Sequence, residues 1–459
     1  MLYAPPTHAQ SIPAARTAIE QAQTALSEAL RVLGPPTVSV APGNLQLAID
    51  TMAPGTTLVL EAGASYGPIV LRGGPGVIMS AGILPAAGER VTPQSAAALA
   101  KLVGPTGQSV VTTAAGAHRW TLVGLDISGD ANDLVRFGNG TETALMELPF
   151  DLTIDRCYIH GSAVNGSKRG IALNSGAATV INSWVSDIKR RGQDTQAIAG
   201  WNGPGPYRIE NNYLEASGEN VIFGGSDPTL PDLVPSDILI RGNTLSKPVA
   251  WRTEGWLVKN LLELKNARRV TVVNNTMEHV WLHGQTGYAI VLTVRNQDGG
   301  CPWCTIEDVL IADNTIRHMG AGIQILGRDT GNPSAIMARV TFRGNVFEGI
   351  NPEDGAGRQV YIGGGPEALT LDANRFSGTE PLNSALNFDH PEWTVPGLRV
   401  TGNTFQEGDY GIFGTGAPAL GRAVLEMYAP GAVWSDNVIL RGTSGRTITY
   451  PLGTILQDP

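Results

Sequence analysis

The chain has 459 residues, 42% hydrophobic and only 16% charged, with 57 glycines and 30 prolines. That is longer than one compact core usually extends, and the glycine and proline content favours many short strands between tight turns over long helices. A net charge of −9 argues against a general nucleic-acid binder, no apolar run is long enough to cross a membrane as a helix, and three cysteines make no disulfide framework.

Residues 1–36 read as an N-terminal helical segment. The opening MLYAPPTHAQSIPAARTAIEQ lacks the basic-then-apolar layout of a secretory signal, which leaves a removed signal or another exit route, such as that of a virion part. The spacing predicts a helix over 13–33, where Ile19, Leu26 and Leu33 are seven apart. This is either a surface or capping helix or a short coiled coil, and the coiled coil would make a homotrimer. Gly34-Pro35-Pro36 breaks it. Residues 37–68 read as a cap, with a short helix, a Pro-Gly turn and a strand in NLQLAIDTMAPGTTLVL. The body is assigned to 69–445, with an inserted loop over 80–108, and a C-terminal tail to 446–459.

From residue 122 a repeat is explicit. Segments such as LVGLDI, IDRCYI, INSWVS, IENNYL and VVNNTM share an apolar residue, a fixed position three later and an apolar residue beyond it. The fixed positions are Leu125, Cys157, Trp184, Asn212, Asn243, Asn275, Asn314, Asn345, Asn374, Asn403 and Asn437. A period near 30 with strands this short predicts an all-β solenoid of about 11–12 coils. Asparagine suits the corner because it tolerates left-handed backbone angles, and stacked amides can bond to one another along the axis.

A second strand in each coil ends in residues that change from turn to turn. Stacked, these make a polar stripe holding Asn174, Trp201, Asn202, Asp227, Lys265, Arg295, Asn296, Arg328, Asp329, Asp389 and His390. Lys265 and Arg295 are 30 positions apart, one turn of the repeat, so stacking makes them neighbours. Arg268 and Arg269 lie near Lys265 in sequence. His283, in a loop with His279 and Trp281, is placed to meet a sugar ring. Cys301 and Cys304 form a CPWC pair, read as two thiols in a turn, reduced or locally bridged, rather than half of a metal site.

The asparagine repeats over residues 120–440 resemble those of the right-handed parallel β-helix superfamily, which includes pectin, alginate and chondroitin lyases, glycosidases and phage tail spikes. Stretches such as CYIHG, RGIALNS, ENNYLEA and ELKNARRV more closely resemble a group of bacterial right-handed β-helix proteins of unassigned activity. The segment LLELKNARRV…VLTVRNQ resembles the alginate/chondroitin lyases. There a lysine after an apolar strand is the base and an arginine one turn later the acid, which implies those roles for Lys265 and Arg295. The motif departs from the family in its Leu-Lys-Asn and Arg-Asn-Gln contexts. The resemblance also implies calcium, with Glu263 the nearest carboxylate; the residues themselves point to no metal or other cofactor.

The expected fold is therefore a right-handed parallel β-helix with an N-terminal helix and cap. Its expected partner is an acidic polysaccharide or cell-surface glycan, bound along the stripe and cleaved by β-elimination through Lys265 and Arg295. Trp201, Asn202, Asp227, Arg268, His283, Asn296, Arg328, Asp329 and His390 are the expected binding residues. An extracellular or virion location follows. The competing readings are a trimeric tail spike or surface adhesin without enzymatic activity, and a scaffold.

Overall fold

The computed structural model describes residues 36–458, together with Gln21 and Gly34. Apart from Gln21, the helix and coiled coil expected over 13–33 fall outside the described residues.

Three parallel sheets run the length of the molecule, two of 14 strands and one of 12. Sheet 1 runs from Thr37–Val40 to Val433–Ser435, sheet 2 from Ser65–Tyr66 to Thr454–Gln457, and the 12-stranded sheet 3 from Ile69–Leu71 to Ile412–Gly414. The chain visits them in a fixed order. One coil passes from Ala267–Val273 in sheet 1 to Thr276–Val280 in sheet 2 and Tyr288–Thr293 in sheet 3, then returns to sheet 1 at Ile306–Ala312. Each strand pairs with its equivalents in the coils above and below, as in Val270↔Val309 and Leu262↔Ile290. This is the right-handed parallel β-helix that the repeat predicts.

Alternation explains why these residues become strands. In Ala267–Val273, Val270 and Val272 are buried while Thr271 and Val273 are half-buried, so period two separates core from surface. One continuous apolar core extends from Val40 to Ile439. In sheet 3 the residues of the strands Gln196–Gly200, Glu219–Phe223 and Tyr288–Thr293 are all buried, outward-facing ones included. The segment after Gly76–Ser80 covers part of sheet 2. Val91, Ala96 and Leu99 pack with Leu84 on Tyr158 and Trp184, on the outer side of sheet 2.

The corner between sheets 1 and 2 carries the amide ladder. From Asn212 to Asn403, the backbone N–H and the Nδ2 of each asparagine both donate to Oδ1 of the next, at 2.9–3.1 Å, ending on Asn437. Two details correct the sequence reading. In INSWVS the ladder position is Ser183, not Trp184: Ser183 N–H donates to Asn212 Oδ1 at 2.9 Å, and its Oγ accepts from Cys157 N–H at 3.1 Å. Trp184 is instead the next strand residue, stacked on Tyr213 with centroids 3.9 Å apart. The left-handed residue is also one place earlier than expected. It is Asn182, Asn211, Gly242, Asn274, Asp313, Gly344, Ala373, Gly402 or Asp436. That residue reverses the chain, which turns the following asparagine inward to meet its neighbour.

Candidate functional site

Lys265 immediately follows the sheet 3 strand Leu262–Leu264, and Arg295 lies just beyond Tyr288–Thr293 in the next coil. The register brings them together: Arg295 N–H donates to the Lys265 carbonyl at 3.1 Å. Both line a cleft of about 250 Å³ with Glu263, Gln285, Thr286, Val291, Thr293 and Gln324. Glu263 faces outward because its strand neighbours Leu262 and Leu264 take the core positions. Its carboxylate is nevertheless only 1% exposed, and it meets Lys265 Nζ at 3.4 Å and Asn260 Nδ2 at 3.1 Å. Burial pushes its pKa up to about 7; Lys265 opposes the rise and Glu219 adds to it.

A second acid–base pair continues the floor. Glu219 Oε2 accepts from Gln196 Nε2 at 2.8 Å, and Glu219 Oε1 lies 3.3 Å from Lys259 Nζ, which also meets Asp194. Asn260 Nδ2 additionally donates to Gln285 Oε1 at 2.8 Å, while the Oδ1 of Asn260 is buried without a partner. Behind this floor Lys247 is wholly buried, its Nζ donating to the carbonyls of Ala216 and Gly218 and to Asn220 Oδ1 at 2.5–2.8 Å.

Calcium takes six to eight oxygen ligands. Here the two floor carboxylates each hold a lysine ammonium, and among the described residues no group of three or more His, Cys, Asp or Glu side chains is placed to hold an ion.

The other expected binding residues divide into three groups. Asn202, Asp227, Asn296 and Asp329 hold the loops that flank sheet 3. Asn202 bonds the backbone of Glu142, Thr229 and Leu230. Asp227 accepts from Gln297, Asp298 and Gly300 N–H, and Asp329 from Asn296 and Gly331 N–H. Asn296 is fully buried and joins Pro333 to Cys301. Cys301 and Cys304 are bridged, their Cα atoms 5.3 Å apart, which closes the loop that follows Arg295. The second group keeps exposed surface along sheet 3 and its edges. Trp201 lies under Arg169 at 5.1 Å, Arg328 lies over Trp393 at 4.7 Å, and His390 packs on the same Trp393. His283 is exposed in the loop before Gln285, its Nδ1 accepting from Val258 N–H at 3.4 Å.

Arg268 stands apart. It belongs to sheet 1, in register with Ser236 and Glu307, and lines a separate 570 Å³ hollow with Leu145, Leu230 and Pro204. Arg269 is likewise on sheet 1, paired with Asp237 at 2.7 Å. The cations expected around Lys265 from sequence proximity therefore point away from it, because the turn at Asn266 carries the chain onto another face. Sequence reasoning also missed Glu219, Asn260, Gln285 and Gln324. The one available signal was alternation: an outward glutamate in the middle of an otherwise apolar strand.

No family profile matches the sequence, and no curated protein matches it. Solved structures do match its shape. A PL6 family alginate lyase, AlyGC, aligns over 92% of this chain and 53% of its own, with TM-score 0.56 and 10% identity, so the present chain spans about half of that protein. A mannuronic acid specific polysaccharide family 6 lyase from human gut microbiota aligns over 92% and 91%, with TM-score 0.46 and 12% identity. PfbA, a surface adhesin of Streptococcus pneumoniae, aligns over 91% and 93%, with TM-score 0.47 and 11% identity. At such identities the shared property is the fold: the chain is a right-handed parallel β-helix protein, an architecture that carries many activities.

Proposed function

We propose that the chain binds an acidic polysaccharide along the outer face of sheet 3 and cleaves it by β-elimination in the Glu263–Lys265–Arg295 cleft. The observation that carries this reading is the convergence of Lys265, Arg295 and a buried carboxyl poised near neutral pH in one open cleft. A PL6 family alginate lyase on the same fold agrees with it.

The residues divide the work as follows. Glu263, 3.4 Å from Lys265 Nζ, holds the lysine in the cleft, and Lys265 acts as the base in its free-amine form. That amine removes the C5 proton of a uronate. Gln285, Thr293 and Gln324 are neutral donors in the cleft for the uronate carboxylate as charge moves onto it. The C4–C5 double bond forms as the C4–oxygen bond breaks. Arg295 hydrogen-bonds the leaving oxygen until solvent protonates it. On this proposal the protein works outside the cell or on a virion, where such polymers are found.

The test is ultraviolet absorbance of the unsaturated uronate on a panel of polyuronates, for wild type and Lys265→Ala. The expected outcome is product from wild type and a loss of about 10²–10⁴-fold in the variant. Binding without product on every polymer would replace the lyase by the adhesin or tail-spike reading.

A further inference from the structure

Beyond the cleft, the outer row of sheet 3 continues through consecutive coils as Glu263, Val291, Gln324 and Tyr361. Beside it runs a second row. Tyr288 pairs with Ala321, and Arg358 opens the following strand, Arg358–Gly363. Ala321 contributes only a methyl group, so Tyr288 and Arg358 face each other across it. Tyr288, Val291 and Ala321, with Tyr361 and Ala356 packed against them, form a small apolar platform outside the main core.

The polar atoms on this platform are unsatisfied. Tyr288 is 4% exposed, yet its hydroxyl has no hydrogen-bond partner, and neither has the buried Nε of Arg358. The Arg358 guanidinium lies over the Tyr361 ring at 5.6 Å. Among the described residues it makes no ion pair, whereas Arg169 meets Asp133 at 3.1 Å, Arg295 faces Asp329, and Arg328 donates to the Gly364 carbonyl at 2.9 Å. A half-buried, unpaired guanidinium with a phenol beside it lacks one thing: an anion with planar acceptor oxygens. Burial pushes the Tyr288 hydroxyl up to about 12, so it stays a proton donor.

We infer that Arg358 and Tyr288, on the apolar platform of Tyr361 and Val291, form a second carboxylate-binding position for the same polyuronate. This rests on the function proposed above. Arg358 is three strand steps from the Lys265 coil, about 14 Å at the usual parallel spacing. One strand step is close to the length of one hexose in an extended chain. The polymer therefore runs along the solenoid axis from the cleft toward the C-terminal end, and a tetramer is the shortest oligomer that reaches both positions.

Calorimetric titration with oligomannuronates and oligogalacturonates of two to six units tests this, using wild type, Arg358→Gln, Arg358→Lys and Lys265→Ala. The expected result is that Arg358→Gln weakens tetramers and longer oligomers about tenfold, as loss of one charge-assisted contact would, and leaves dimers unchanged. Arg358→Lys should recover part of that loss. With wild type alone, a tetramer whose carboxylates are reduced to alcohols should bind no better than the dimer, a result that does not depend on how any variant folds. Equal affinities of wild type and Arg358→Gln at every length, with Lys265→Ala impaired, would overturn the second position and leave the proposed function standing. Failure of every oligomer to bind wild type would overturn both.

Discussion

The corner between sheets 1 and 2 and the outer floor of sheet 3 are both lined with buried polar groups, and they solve burial in opposite ways. At the corner, Asn212 through Asn437 repeat one neutral residue, and each amide finds its partner in an identical neighbour. On the floor nothing repeats. Glu219, Lys259, Glu263, Lys265 and, behind them, Lys247 are each held by different partners. Repetition satisfies hydrogen bonds with no net charge to desolvate, so it lengthens the solenoid at little cost. The irregular floor keeps ionisable groups where burial opposes their charge, which suits chemistry better than stability.

The strongest way to break the contrast is Lys247→Met. It removes a buried cation but strands the carbonyls of Ala216 and Gly218 and the Asn220 amide oxygen, and should cost about 3–5 kcal/mol in denaturant unfolding. Burial lowers the Lys247 pKa to about 7, below its value of 10.5 in the unfolded chain. The unfolded state then binds more protons across that window, so wild type should gain stability as pH rises from 7 to 10.5, and the variant should lose this slope.

On the ladder side, Asn314→Ala leaves the N–H and Nδ2 of Asn275 without their acceptor and removes the Nδ2 donor to Asn345, whose Oδ1 keeps only the backbone N–H of residue 314. A loss of about 2–4 kcal/mol is expected, in unfolding curves with no pH dependence near neutrality. Retained stability would mean the ladder decorates the corner rather than holding it.

Glu263→Gln is the smallest change and the most specific. The folded pKa of Glu263 lies above its unfolded value, so its contribution is fully present below pH 4.5 and is lost as pH rises to about 7. Glutamine should abolish that slope and stabilise the neutral-pH protein by on the order of 2 kcal/mol. Cleavage should fall with it while oligouronate binding persists, since the variant keeps Lys265 and Arg295 but loses the carboxylate that holds the lysine in place. An enzyme with unchanged turnover would remove Glu263 from the reaction.

The sequence by itself determined the solenoid, because period two within strands and a period near 30 between them leave few other ways to bury Val270, Val272 and their equivalents. It also placed Lys265 beside Arg295, since a one-turn spacing is a statement about neighbours. It misplaced Trp184 by one residue, as an apolar aromatic fits the local pattern as well as Ser183 does and only strand register separates them. It could not tell that Arg268 turns onto sheet 1, that Asp227 and Asn296 are consumed by loop backbone, or that Glu263 sits dry beneath Lys265. Those facts depend on which coil covers which, and burial, unlike periodicity, is set by residues far away in the chain.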